Sequence, residues 1–360
     1  MFSQRVLITG ANGYISQHVV ATFLEAGHSV RGIVRSEAKV NQLQRIFREY
    51  AGTSQLDFGI VPDIAEPGAF DLVLVSDPPF DVVLHTASPF NIRKNTSPSE
   101  FMDPAIRGTT EILRGISRVA PTVKRVVVTS SFGAVMNLGL PRVTHPAKVY
   151  TEADWNPVTL EQASAETAPA IVAYLASKKF AEQAAWEFVS STNQPSFDIV
   201  ALDPPSVFGP LYDSSELASV LDLSESVFEV YQKTLKPGLT DSSPLPPMGI
   251  HLYVDVRDLA TAHLLAATVP AAGGHRFVIC AEQGHMSMQR IVNIFRETLP
   301  ELRSRIPRGE PEQWPLAEGT LSASSNLAKE VLGLKFRTPE ATMTDMAVQL
   351  AEIDERLGHE

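Results

Sequence analysis

The sequence of 360 residues contains a single cysteine, Cys280. No intrachain disulfide can form, and a chain that makes no use of cystine reads as one for a reducing compartment. As a lone small side chain before Ala281, Cys280 is expected to be a buried hydrophobe, not a nucleophile. Positive charge is in deficit: 30 Lys and Arg against 41 Asp and Glu give a net charge of −11. That balance argues against a nucleic-acid partner, because binding a phosphate backbone needs Lys and Arg in excess. It leaves room for a few basic residues that hold one phosphate. No run of about 18 apolar residues occurs, so no membrane partner is expected. The first candidate strand starts at Arg5, leaving no length for a secretory signal, and a cytoplasmic protein is expected. Without such a signal the triplet Asn95-Thr96-Ser97 reads as a loop and not as a glycosylation site. None of the nine histidines stands in metal-site spacing and no His-Glu-x-x-His occurs, so no metal is expected.

What the chain does contain is alternation. Candidate strands at 5–9, 29–34, 56–61, 81–86, 124–129 and 197–202 are mostly continuous apolar runs, as strands buried on both faces are. Helical patterns lie between them near 14–26, 37–50, 99–119 and 168–191. Strand–helix alternation implies an α/β, doubly wound parallel sheet of Rossmann type, with ligands at the carboxyl ends of its strands. After about residue 203 the character changes. Residues 209–250 are rich in Pro, Ser, Asp and Leu and read as loops around one helix at 214–235. Helices are expected again at 255–268, 287–299 and 338–356, with a strand at 275–279. The expected division is a nucleotide-binding domain over 1–205, to which about 251–285 returns. A smaller, less regular substrate lobe then occupies most of 206–360.

The segment Val6-Leu7-Ile8-Thr9-Gly10-Ala11-Asn12-Gly13-Tyr14-Ile15-Ser16 reads as strand, tight turn and helix start. Gly10 permits the sharp exit, and Gly13 removes a Cβ where backbone must approach a pyrophosphate at the helix N-terminus. Ser16 stands where a third glycine is common, and a small side chain there still allows close packing. A glycine pair alone is a weak signal; its place after the first strand of an alternating pattern strengthens it. The second strand ends in Arg35, with Lys39 four residues on, where NAD-binding units carry an acid for the ribose 2′-hydroxyl. A guanidinium forks onto a 2′-phosphate, and positive charge at a helix N-terminus is otherwise disfavoured. NADP(H) is therefore the expected cofactor. Asp63, after the third strand, suits either the adenine amino group or a helix cap.

Tyr174 and Lys178 are four apart in a helical pattern and share a face. A neighbouring ammonium favours phenolate, so the tyrosine pKa is expected to fall toward working pH, as a general acid requires. The bland reading is an exposed lysine and a half-buried tyrosine on an ordinary helix. The fifth strand ends in Ser130-Ser131, at the sheet edge where the cofactor must lie, and a hydroxyl there can hold a carbonyl oxygen. Together these point to hydride transfer from NADPH to an aldehyde or ketone. His85, at the end of a buried strand, is read as a structural, hydrogen-bonded histidine.

Several stretches resemble the extended short-chain dehydrogenase/reductases, in their dihydroflavonol 4-reductase-like and methylglyoxal-reductase-like branch. They are Thr9 to Ile15, Arg35 with Lys39, Val61-Pro62-Asp63-Ile64, and Leu84-His85-Thr86-Ala87-Ser88-Pro89-Phe90. Val128 to Ser131, Asp154-Trp155-Asn156-Pro157, Tyr174 to Glu182, Val207-Phe208-Gly209-Pro210, Tyr253 to Asp258 and Leu334-Lys335-Phe336-Arg337 also fit. The resemblance implies that Ser131 binds the carbonyl, Tyr174 donates the proton, and Lys178 holds the nicotinamide ribose and tunes Tyr174. It assigns the pyrophosphate to Gly10, Ala11, Asn12, Gly13, Tyr14 and Ile15, and the 2′-phosphate to Arg35 and Lys39. Asp63 and Ile64 would take the adenine, Thr86 and Ala87 the ribose, and Val207, Phe208, Gly209 and Pro210 the nicotinamide. Two residues depart from the branch. Asp203 precedes Pro204 where Asn is usual, which bears on the carboxamide contacts. Phe132, after the catalytic serine, suggests a bulkier, more apolar substrate pocket.

Two other readings stay open on the sequence. A nucleotide-sugar epimerase or dehydratase of the same fold would want an acid, not Arg35, at the end of the second strand. A non-catalytic NADP-binding regulatory protein would have no use for Ser131, Tyr174 and Lys178 together. The carbonyl substrate itself has no signature in 209–250, and a monomer or a homodimer is expected.

Overall fold

The computed structural model describes residues 3–88, 98–165, 167–191, 195–281 and 285–358, with backbone only for 98–101. Asn95-Thr96-Ser97 and Pro89-Phe90 lie outside the described residues. In chain order the strands are β1 (Arg5–Thr9), β2 (Ser29–Val34), β3 (Leu56–Ile60), β4 (Val82–His85), β5 (Arg125–Thr129) and β6 (Val149–Tyr150). They continue with β7 (Asp198–Asp203), β8 (Ser206–Phe208), β9 (Tyr253–Asp255), β10 (Arg276–Val278) and β11 (Ser322–Ala323). The helices are α1 (Tyr14–Glu25), α2 (Glu37–Ile46), α3 (Pro98–Val119), α4 (Leu160–Ser164) and α5 (Ala170–Ser190). After them come α6 (Glu225–Thr234), α7 (Val256–Thr268), α8 (Met288–Thr298), α9 (Asn326–Leu332) and α10 (Pro339–Leu357).

Seven strands form one parallel sheet in the order β10-β7-β5-β4-β1-β2-β3. The direction of winding reverses between β1 and β4, and it is outside the carboxyl ends of strands at such a reversal that doubly wound sheets bind ligands. The apolar runs explain the two-sided burial. Successive residues of a strand point to opposite faces, so Val6 and Ile8 pack with Val19 and Phe23 of α1 and Leu259 of α7. Leu7 and Val126 pack instead with Ile112 and Ile116 of α3 and Ala185 of α5. Each such aliphatic side chain, fully buried, contributes about 1.5–3 kcal/mol. A further core joins α6, α8 and α10 through Val227, Tyr231, Ile291, Phe295, Met346 and Leu350.

The seven sheet strands fall within a residue or two of their expected places. The helix expected at 214–235 is shorter: a single 3-10 turn at Val220–Asp222 precedes α6. Short polar side chains compete for the backbone there. Asp213 accepts from Ser215 N at 2.7 Å and Ser219 from Leu221 N at 3.2 Å, both local turns that interrupt a helix. Among the described residues, no helix is long and apolar enough to cross a membrane.

Candidate active site

The glycine turn closes on itself and on β4. Gly10 has φ +64°, a conformation that favours glycine, and a Cβ there would sit 3.0 Å from Ala87 Cα. Gly13 N donates to Gly10 O at 2.9 Å, and Ala11 N to Ile33 O at 3.0 Å. The first-turn N–H groups of α1, including those of Tyr14 and Ile15, have no intrahelical acceptor by helix geometry. Asn12 lies partly buried on the same turn. Thr9 Oγ1 accepts from Thr86 N at 3.1 Å and Ala87 N at 3.0 Å, while Thr86 Oγ1 bonds both Thr9 O and Ser16 Oγ. These bonds lock the ends of β1 and β4 side by side. His85 Nδ1 lies 3.1 Å from Thr9 Oγ1, and burial lowers its pKa to about 4. A neutral imidazole in the strand end is the structural histidine that was expected.

Arg35 leaves β2 exposed, with no ion-pair partner among the described residues. Lys39, one turn into α2, donates to Gln42 Oε1 at 2.9 Å. Asp63 uses Oδ1 to accept from Ala65 N at 2.8 Å, a local turn cap in a segment that is not helical. Ile64 packs against α3, where a Cβ on Gly108 would meet its Cδ1. The turn after β8 is tied to α1: Tyr14 Oη donates to Gly209 O at 2.8 Å, and His18 Nε2 lies 2.9 Å from Pro210 O. Val207 is buried, and the fully buried Phe208 ring stacks on Tyr253. Gly209 and Pro210 thus reach α1 through their backbone carbonyls.

At the carboxyl end of β5, Ser131 caps a short 3-10 turn and accepts from Gly133 N at 3.0 Å. Its hydroxyl is hydrogen-bonded to that of Tyr174 on α5. Lys178 donates to Ser88 Oγ at 3.0 Å and holds its ammonium 5.8 Å from the centre of the Tyr174 ring. The sequence expectation for the tyrosine is reversed. Burial pushes Tyr174 up to about 12, and the Ser131 hydrogen bond opposes that rise without overcoming it. Burial pulls Lys178 down to about 8. At neutral pH Tyr174 therefore holds its proton, ready to donate.

Both departures land away from the reacting groups. Phe132 is 1% exposed and meets Tyr150 edge-on at 5.5 Å, so it belongs to the core and does not widen a substrate pocket. Asp203 is fully buried behind the site beside Glu182, Ser130 and Arg276. Three participants in this neighbourhood have no role from sequence: Ser88, Glu182 and Arg276; Ser130, read with Ser131 as a place for the carbonyl oxygen, donates instead to Glu182. Glu182 was legible, since it follows Tyr174 and Lys178 at the same stride of four. Arg276 had no such signal, because only the sheet order brings β10 beside β7.

A family described as NAD dependent epimerase/dehydratase matches residues 6–280. Ketoreductase azaE of Aspergillus niger is 36% identical over 352 residues, covering 97% of this chain and 98% of that protein. The NADPH-dependent methylglyoxal reductase GRE2 of Saccharomyces cerevisiae is 32% identical over 369 residues, covering 98% and 99%. The crystal structure of yeast methylglyoxal/isovaleraldehyde reductase Gre2 with NADPH superposes with a TM-score of 0.87 at 32% identity, covering 98% of this chain and all of that one.

Proposed function

The chain belongs to the NAD dependent epimerase/dehydratase family, and from that premise we propose that it is an NADPH-dependent reductase of aldehydes or ketones. The observation that carries the reading is the hydrogen-bonded Ser131–Tyr174 pair, with Lys178 one turn along, at the sheet edge where Gly10 meets Ala87. The relatives named above are a ketoreductase and an NADPH-dependent methylglyoxal reductase, and they support the same activity.

The residues present fit a 2′-phosphorylated dinucleotide. Gly10 leaves no side chain between the turn and Ala87, the N-terminus of α1 offers N–H groups to the pyrophosphate, and Arg35 keeps an exposed guanidinium for the phosphate. In this reading Lys39 adds a second charge, Asp63 and Ile64 border the adenine, and Thr86 and Ala87 the ribose. The backbone of Val207, Phe208, Gly209 and Pro210 borders the nicotinamide. Bound NADPH supplies the hydride. Ser131 donates to the carbonyl oxygen and fixes its position beside Tyr174. The Tyr174 proton passes to that oxygen as charge develops, which leaves an alcohol and a phenolate to be reprotonated. Lys178 keeps positive charge beside Tyr174 and positions the ribose.

The epimerase alternative is not favoured: Arg35 stands where an NAD-retaining enzyme wants an acid. We further infer a substrate lobe over most of 206–360 on a nucleotide domain of 1–205 with 251–285. The same inference covers a cytoplasmic location, no nucleic-acid partner, and a monomer or homodimer. The deciding experiment is NADPH consumption over a panel of aldehydes and ketones, with NADH in parallel. Turnover with NADPH is expected; a panel without turnover, or equal use of NADH, sinks the reading.

A further inference from the structure

Behind the reacting groups lies a buried acidic pair that the reductase reading leaves without a task. Glu182, on α5, receives four hydrogen bonds. They come from Ser130 Oγ at 2.6 Å, Trp186 Nε1 at 3.1 Å, Arg276 Nε at 2.8 Å and Arg276 Nη2 at 3.2 Å. All four partners are donors, so both Glu182 oxygens act as acceptors. Asp203, on β7, is equally buried, and its carboxyl lies beside Ser130, Glu182 and Arg276. Both acids share one nitrogen of Arg276: Nη2 donates to Glu182 Oε2 at 3.2 Å and is paired with Asp203 Oδ2 at 3.3 Å. Asp203 lies within hydrogen-bonding reach of Glu182. Two carboxylates cannot bond each other without a proton between them. One arginine against two acids also requires that proton, if the cluster is to bury no net charge.

The pair is connected to the site. A cavity of about 20 Å³, room for one water molecule, is lined by His85, Ser88, Thr109, Ser130, Lys178 and Glu182. Glu182 and Lys178 thus reach one polar space, with Ser130 joining it to the acidic pair. The other titratable groups facing this neighbourhood are His85, His263 and Glu152. His85 on β4 is neutral, with its pKa near 4. His263 on α7 also titrates near 4 and bonds Thr129 Oγ1 at 2.7 Å. Glu152 Oε1 accepts from Val278 N at 3.2 Å.

We propose that Asp203 and Glu182 share one proton and form the internal store from which Lys178, and through it Tyr174, is recharged after each turnover. The inference rests on the reductase reading. When Tyr174 has given its proton to the substrate oxygen, Lys178 returns one from Nζ to the phenolate. The Asp203 O–H proton moves by way of Glu182 and a cavity water to the neutral Lys178 amine, and solvent later reprotonates the pair. No electrons change hands. Asp203 and Glu182 act through Lys178 and are positioning residues. Asp203 is the member whose acid form burial favours.

Infrared spectroscopy and pH–rate profiles of the parent, Asp203→Asn and Glu182→Gln test this. The parent is expected to show a protonated-carboxyl C=O stretch at neutral pH that is lost in Asp203→Asn. The kcat of Asp203→Asn should be lower on the order of threefold above the Lys178 pKa, with the KM for NADPH unchanged. Asparagine keeps the shape and donates an amide hydrogen bond to Glu182, so a purely structural pair would leave the pH profile in place. Glu182→Gln should depress the same alkaline limb and serves if Asp203→Asn does not fold. A parent lacking the lost band, or variant profiles that superimpose on the parent's, overturns the proposal. If the parent reduces no carbonyl, the reductase reading fails instead, and the infrared band alone decides whether the pair shares a proton.

Discussion

The hydroxyls of Ser131 and Tyr174 meet across the end of β5, one from the turn after the strand and the other from the second turn of α5. Gly133 packs at the same strand end. A Cβ at that position would lie 2.5 Å from Leu175 Cδ2 and 3.3 Å from Ser131 Oγ, so a side chain there would displace the Leu175 side chain.

Removing one hydroxyl at a time separates the two roles. Tyr174→Phe is expected to lower kcat by about 10²–10⁴-fold, since it deletes the general acid. Ser131→Ala should cost about 10²–10³-fold through the lost oxyanion donor. NADPH affinity should hold in both, as measured by fluorescence titration. A Tyr174→Phe enzyme that keeps most of its rate removes Tyr174 from the mechanism.

The pH dependence follows from Lys178. Its pKa near 8 means that the ammonium is present below that pH and is lost as pH rises through it, while Tyr174, near 12, stays protonated throughout. Reduction consumes a proton, so kcat should be level at neutral pH and fall through about 8. Alcohol oxidation with NADP⁺ should rise over the same window. A reduction rate that stays flat well past that pH would show that Lys178 does not gate proton supply.

What sequence could reveal here is set by range. Continuous apolar runs such as Val126-Val127-Val128 disclose strands buried on both faces, and a stride of four discloses Tyr174 beside Lys178. The short pairs β6 with β11 and β8 with β9 escape, because two or three residues have no periodicity to read. The capping box Thr159–Gln162 that opens α4 is legible as Thr-x-x-Gln. The Tyr174 pKa went the other way because spacing counts a neighbouring ammonium and cannot count desolvation. The Glu182–Arg276 ion pair joins α5 to β10 through tertiary packing alone.

Cofactor choice should turn on Arg35. Its exposed guanidinium has no ion-pair partner among the described residues to hold it, so Arg35→Ala removes a phosphate contact and little of the fold. A charge-assisted hydrogen bond is worth about 1.5–3 kcal/mol, which raises the KM for NADPH by about 10–100-fold and leaves that for NADH unchanged. Equal changes for both cofactors would assign Arg35 to the scaffold.

Lys178 should also be a site where stability and activity oppose each other. Its folded pKa lies below the ordinary lysine value, so the folded state carries an unfavourable buried charge at neutral pH. The sign is explicit: between about 8 and the unfolded value the unfolded chain binds more protons, and stability rises with pH. Lys178→Met removes the charge and should stabilise the fold at neutral pH by about 1–2 kcal/mol, allowing for the hydrogen bond lost to Ser88, while abolishing activity. Thermal unfolding at pH 7 reads it; a lower Tm would mean that the Ser88 contact outweighs desolvation.

Arg276 is the cation that neutralises Glu182, and its guanidinium also stacks 3.7 Å from the centre of the Trp155 ring. Arg276→Met would leave a carboxylate buried without its partner, which costs about 3–5 kcal/mol. Glu182→Gln added to that variant removes the stranded charge and should recover part of the loss, because the two residues are in contact and their effects cannot add. Denaturant unfolding of both single variants and the double variant measures this coupling. A coupling near zero would mean that Trp155 and the backbone carbonyls of Glu152 and Asp154, which accept from Arg276 Nη1 at 3.0 and 2.8 Å, hold the guanidinium without help from the acid.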